Sequence, residues 1–195
     1  VIIHRKPEDA SIVGFEWHSD TAMAAEPPMG SILYALRAPP VGGDTLFANQ
    51  YLAYESLSDG MKTMLDGLRA VHSDRRVAGP NSGRNVGRST KVRDDSTWQE
   101  TVNLHPVVRT HPETCRKSLF VDHSYTVGFE NMTEDESQPL LNWLMDWGHR
   151  PEFTCRFRWE KGSIAFWDNR YTQHYPINDY SGQFRLMYRL TLKEN

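Results

Sequence analysis

The sequence predicts a mainly β fold, an antiparallel sandwich or barrel with helices outside it. Three observations carry this expectation. The last third of the chain alternates apolar and polar residues, as in FTCRFRW (153–159) and FRLMYRLTL (184–192); a period of two marks a half-buried strand. Such runs are short and are bounded by Gly, Pro, Asn and Asp, the residues of turns. Helical spacing is confined to two stretches, which leaves strands to build the core.

Taken in order, SILYALRAP (31–39) reads as a strand and PPVGGDT (39–45) as a turn, its Pro and paired Gly supplying unusual dihedrals. TLFANQ (45–50) is a short strand. A helix follows, with Ser58 as cap and Met61, Met64, Leu65 and Leu68 at core-facing spacing. Residues 74–96 hold three Gly, one Pro and six basic residues, with almost no large apolar side chain, and read as a long mobile loop or lid. SLFVDHSYT (118–126) reads as a strand. Thr133 and Glu136 form a capping box for a helix carrying Leu140, Leu141, Leu144 and Met145, with Pro139 inside it. SIAFWDN (163–169) is a mostly apolar strand. In the last strand, Phe184, Leu186, Tyr188 and Leu190 share one face, and Arg185, Met187, Arg189 and Thr191 the other.

A chain of 195 residues with 38% hydrophobic and 24% charged residues fits one domain with a core. The net charge of −3 argues against a nucleic-acid surface built on bulk positive charge. No apolar run reaches bilayer length, and the N-terminus lacks the apolar segment of a signal peptide. The first residue is Val, so a piece of a longer chain is expected. Cys115 and Cys155 read as reduced thiols of a cytoplasmic protein, Cys155 as core filler by its alternation with Phe153 and Phe157.

The chemistry-bearing residues form an ordered pattern. EWHSDT (16–21) places His18 and Asp20 two positions apart, on one face if the segment is a strand. Such a pair by itself more often marks a surface His–Asp pair than a metal site. A GGDT turn, a late His174, and then Arg185 and Arg189 at the eleventh and fifteenth positions after it complete the series. Arg185 and Arg189 lie roughly 13 Å apart along a strand. If their face points inward, they are buried cations and require anions.

Here the chain resembles the taurine/2,4-D (TauD/TfdA-like) iron(II)- and 2-oxoglutarate-dependent dioxygenases. WHSDTAMAAEPPMGSILYALRAPPVGGDTLFAN, LHPVVRTHPETCRKSLFVDHSYT and FWDNRYTQHYPINDYSGQFRLMYR carry the likeness, from about Trp17 to Thr191. The resemblance implies a double-stranded β-helix (jelly-roll) core with flanking helices and iron at one open end. By the same resemblance His18, Asp20 and His174 are the metal ligands, a facial triad that leaves coordination positions open. Thr45 and Arg185 hold the distal carboxylate of 2-oxoglutarate. Arg189 meets an anionic head of the substrate, and Trp167 lies near the iron while serving chiefly as packing. Tyr125, Val77 and Ala78 fall where substrate contacts are expected.

The implied reaction hydroxylates a small organic anion (a sulfonate, aryloxyalkanoate or alkyl sulfate) while O2 converts 2-oxoglutarate to succinate and CO2. No side chain acts as acid or base in that scheme, so position-holding residues matter most. The resemblance leads us to expect that a large part of the family's usual N-terminal segment is missing ahead of Val1. A homo-oligomer is expected, without nucleic-acid or membrane partners. Two rival readings use the same residues: a metal-dependent hydrolase, which gives no reason for Thr45 and Arg185, and a non-catalytic jelly-roll binding module.

Overall fold

The computed structural model describes residues 1–79, 82, 86–87, 89–90 and 98–193. Twelve strands and three helices run in the order β1 (Ile2–Arg5), β2 (Gly30–Arg37), β3 (Thr45–Asn49), α1 (Gln50–Glu55), α2 (Asp59–Leu65), β4 (Arg69–Ser73), β5 (Val102–Pro106), β6 (Val108–Thr110), β7 (Lys117–Leu119), β8 (Thr126–Phe129), α3 (Glu134–Gly148), β9 (Thr154–Phe157), β10 (Ile164–Asp168), β11 (Thr172–Pro176) and β12 (Arg185–Leu192).

Two antiparallel sheets form the jelly roll. One has the order β1-β12-β2-β10, the other β11-β3-β9. Leu33, Ala35, Ala165, Trp167 and Met187 of the first pack against Phe47 and Phe157 of the second, with Trp159 between strands. The two sheets thus share one core, as aligned sandwiches do. A third sheet, β5-β4-β8, backs a separate core in which Leu65, Val107, Phe129, Leu141, Leu144 and Met145 bring the helices together.

Local chemistry explains the element ends. The capping box at α3 forms as expected: the Thr133 hydroxyl accepts from Glu136 N, and the Glu136 carboxylate accepts from Thr133 N at 2.8 Å. The Ser58 hydroxyl caps α2 by accepting from Met61 N at 3.2 Å. The GGDT turn needs left-handed backbone, with φ of +79° at Gly42 and +73° at Gly43, and Gly43 N donates to the Asp179 carboxylate at 2.7 Å.

Three expectations need correction. The run 118–126 is not one strand. Asp122 breaks it by accepting from Tyr125 N at 2.7 Å, and Thr126 N bonds Asp122 O at 3.1 Å, so a turn replaces the ladder. Helix α2 ends at Leu65, leaving Leu68 beyond it, and Met64 is exposed. Cys155 is exposed rather than core, because β9 lies at the edge of its sheet. On β12, whose inward face the sequence leaves open, Tyr188 and Leu190 are exposed while Arg185 and Met187 are buried. Helix α1 was not foreseen; the Asn49 side chain caps it by accepting from Tyr51 N and Leu52 N. Of the expected lid, residues 80–81, 83–85, 88 and 91–96 lie outside the described residues, and residues 74–79 form a turn against Asp74 O.

Candidate metal centre and anion pocket

His18 and His174 meet through a single antiparallel bridge. His18 N donates to His174 O at 3.1 Å and His174 N to His18 O at 2.9 Å. The expected strand at residues 18–20 is absent. After His18 the chain turns, with Thr21 at a left-handed φ of +48°, a costly conformation for a β-branched residue. That turn, not strand alternation, swings the Asp20 carboxylate back toward the two rings. Gly14 clears space for His18, since a Cβ there would lie 2.7 Å from Cε1 of the ring.

The three side chains converge. Candidate ligand atoms of His18, Asp20 and His174 lie within 4.8 Å of one another, and all three residues are buried. Asp20 Oδ1 is 3.8 Å from His18 Nε2 and 3.9 Å from His174 Nε2. His18 Nδ1 sits 2.7 Å from Glu16 O, and donation there puts the ring's lone pair on Nε2. Burial, with His18 alongside, holds His174 down to about 3, so its ring is neutral at neutral pH. Burial pushes the Asp20 carboxyl upward, but His174, Arg189, His18 and Ser31 outweigh it and keep it at about 2. Two imidazoles, that of His174 neutral, and one ionised carboxylate form the donor set that a divalent transition metal takes.

Other residues hold Asp20 in place. Its Oδ2 accepts from the Ser31 hydroxyl at 2.5 Å, and Ser31 accepts from Asn169 Nδ2 at 3.3 Å. Asn169 in turn accepts from Trp167 Nε1 at 2.8 Å. Trp167 therefore both packs in the core, 4.8 Å from the His174 ring, and anchors this chain of bonds. Ser31 and Asn169 escaped the sequence reading, because a small polar residue at a strand end carries no signal of its own.

Arg185 faces inward, as the buried-cation reading of β12 requires. It is 6% exposed, and its Nε and Nη2 have no hydrogen-bond partner among the described residues. Burial lowers its pKa, partly offset by Tyr180 and Asp44. Its guanidinium carbon stands 5.6 Å from the Trp159 ring. Thr45 is buried across from it; Trp159 Nε1 donates to the Thr45 hydroxyl at 2.9 Å, which leaves that hydroxyl's own proton to donate. Arg189 Nη1 donates to Asp20 Oδ1 at 3.0 Å, and its Nε is buried without a partner. All six residues except Asp20 line one pocket of about 40 Å³, with Phe47, Trp159 and Trp167.

Tyr125 and Val77 come together elsewhere, in a cluster with Ala22, Met23 and Phe120. Neither they nor Ala78 is among the described residues lining the pocket. A larger cavity of about 730 Å³ lies behind Phe47 and Trp167, and its charged groups Asp168, Arg170 and Glu113 satisfy one another. The smaller pocket carries the unsatisfied cation and the histidines.

The profile of the taurine catabolism dioxygenase TauD, TfdA family matches residues 3–191. The chain belongs to the TauD/TfdA family. It is 39% identical over 179 residues to the alkylsulfatase of Acinetobacter baylyi, a match covering 90% of this chain and 56% of that one. It is 39% identical over 180 residues to the alpha-ketoglutarate-dependent sulfate ester dioxygenase of Pseudomonas putida, covering 90% of this chain and 58% of the relative. The TauD/TfdA chain described here thus spans a little over half the length of these curated relatives. Among solved structures, AAD-2 in complex with Mn(II) and N-oxalylglycine aligns with a TM-score of 0.79 at 32% identity, covering 92% of this chain and 68% of that chain.

Proposed function

We propose that this chain carries the catalytic core of an Fe(II)- and 2-oxoglutarate-dependent dioxygenase that hydroxylates a small organic anion. The observation that carries the reading is the buried His18–Asp20–His174 cluster beside an inward arginine with two unsatisfied nitrogens. A hydrolase needs the metal but gives Arg185 no task, and a vestigial binding module gives none to the ligand set.

In this reading His18, Asp20 and His174 hold the metal on one side. When bound there, iron with 2-oxoglutarate supplies oxygen activation, yielding succinate, CO2 and a hydroxylated substrate. Arg185 grips the far carboxylate of 2-oxoglutarate through its planar fork, and Thr45 adds a neutral hydrogen bond. The hydrophobic walls Phe47, Trp159 and Trp167 exclude water, which strengthens those contacts. The free space is about 40 Å³, and a dicarboxylate enters as Arg189 swings off Asp20. The Arg189 side chain is one-quarter exposed, which gives it room to move. Released from Asp20, it presents a guanidinium to the anionic head of the substrate.

The names of the relatives favour a sulfate ester or sulfonate, with an aryloxyalkanoate as the further member of the class. Tyr125, Val77 and Ala78 belong to the substrate side only if their segment shifts toward the pocket. A cytoplasmic location fits two thiols that are both unpaired; no helix among the described residues is long and apolar enough to cross a membrane. Self-association fits the exposed Tyr188, Leu190, Ile164 and Phe166 on one sheet. The test is a panel of alkyl sulfates, sulfonates and aryloxyalkanoates scored by succinate release. The reading expects at least one of them to raise release above the substrate-free rate. Metal-dependent ester hydrolysis without oxygen would overturn it.

A further inference from the structure

His149 forms the C-terminal cap of α3 and lies outside the pocket. Its ring stacks flat on Trp17, with 4.5 Å between centroids and 5° between planes. Its Nε2 stands 2.8 Å from Gln173 Oε1. Gln173 Nε2 donates to Val121 O at 2.7 Å, which assigns Oε1 as the acceptor and His149 Nε2 as the donor. Burial holds the ring at about 4, so at neutral pH it has one N–H to give.

Besides His123, whose ring lies 5.4 Å away, it touches the residues immediately before the candidate ligands, Trp17 before His18 and Gln173 before His174. The segments bearing those ligands are joined by one isolated bridge, and the Ser19 hydroxyl donates to Thr172 O at 3.1 Å beside it. Both ties end on backbone carbonyls and leave the residue before each ligand to be held by its side chain. One imidazole supplies that hold to both chains. Trp17 also lies 5.6 Å from Tyr175, on the far side of His174. Outer partners that orient ligands govern metal affinity strongly.

We propose that His149 is a positioning residue that fixes the relative orientation of His18 and His174, coupling the end of α3 to the metal centre. The proposal rests on the reading of those histidines as ligands, and its test separates the two. His149→Phe keeps a flat ring on Trp17 but removes the donor. His149→Gln keeps a donor but removes the ring. Gln173→Leu removes the acceptor and serves if a His149 variant fails to fold. Amide hydrogen exchange is followed in the metal-free chain, and Co(II) binding by visible absorption.

The expected result is exchange at the His18 and His174 amides faster by about tenfold in His149→Phe and Gln173→Leu, with Leu141 and Leu144 in α3 unchanged. Co(II) affinity is expected to fall by about tenfold in the same variants, with part of it regained in His149→Gln. Unchanged exchange at His18 and His174, or equal acceleration throughout α3, would overturn the proposal. A wild-type chain that takes no Co(II), yet whose two amides respond as stated, would uphold the positioning role and overturn the metal reading instead.

Discussion

Arg185 is the residue whose situation most needs a ligand. A guanidinium 6% exposed with two unsatisfied nitrogens recovers only part of its lost hydration, from Tyr180 and Asp44, until an anion arrives. Charge-assisted hydrogen bonds of this kind contribute about 1.5–3 kcal/mol. Arg185→Ala is therefore expected to raise the 2-oxoglutarate requirement by about 10- to 100-fold, while Co(II) binding at the three-ligand cluster stays intact; titrations of each ligand check both halves. Arg185→Lys is expected to recover little, since a point charge lacks the fork. Unchanged 2-oxoglutarate dependence in Arg185→Ala would refute its assignment. The spacing of β12 offered Arg185 as a conditional, inward meaning anion, and the family resemblance named it for the 2-oxoglutarate carboxylate. What settled the condition was its buried place opposite Arg5 on β1, a neighbour 180 positions away that no local pattern reveals.

Strand β10 tests the alternation that built the fold. Phe166 is 60% exposed and Trp167 7% exposed, one position apart. Phe166→Lys is expected to shift stability by less than about 0.5 kcal/mol, since little burial is lost. Trp167→Ala is expected to cost about 3–5 kcal/mol through a core cavity and to loosen Asn169, Ser31 and Asp20 behind it. Chemical denaturation of both variants checks the contrast. The same strands show where the sequence misleads. The period of two in β12 was legible, but period alone does not say which face is inside, and the apolar set proved to be the outer one. In residues 118–126 hydrophobicity suggested a strand, and one carboxylate accepting a backbone N–H made a turn. At EWHSDT the convergence of His18 and Asp20 was legible, though its cause is a turn with a strained Thr21 rather than a strand.

Across the whole molecule, buried ionisable groups tie stability to pH. Burial holds His72 at about 3, with His105 adding to the effect, and His149 at about 4. Unfolded, each titrates near 6.5. Between those values the unfolded chain binds more protons, so stability falls as pH drops from about 6.5 toward 3. Asp122 acts in the opposite sense, since burial raises its carboxyl to about 7 and its contribution fades as pH rises from about 4 to 7. His174, held at about 3, acts with them in the metal-free chain; three histidines outweigh one aspartate, so that chain is expected to lose stability on acidification, and His72→Phe to flatten that loss; melting curves at stepped pH check the slope. The long-range order of the molecule, from His18 to His174 and from Thr45 to Arg185, is what makes it a site. Motif order made those pairs legible, while their supports Ser31, Asn169 and His149 became visible only in three dimensions. The most direct measurement is the visible spectrum of the chain under anaerobic conditions with Fe(II) and 2-oxoglutarate. A weak charge-transfer band that vanishes in Asp20→Ala and His174→Ala is the predicted result. No band at saturating Fe(II) and keto acid, or an undiminished band in His174→Ala, would contradict the account.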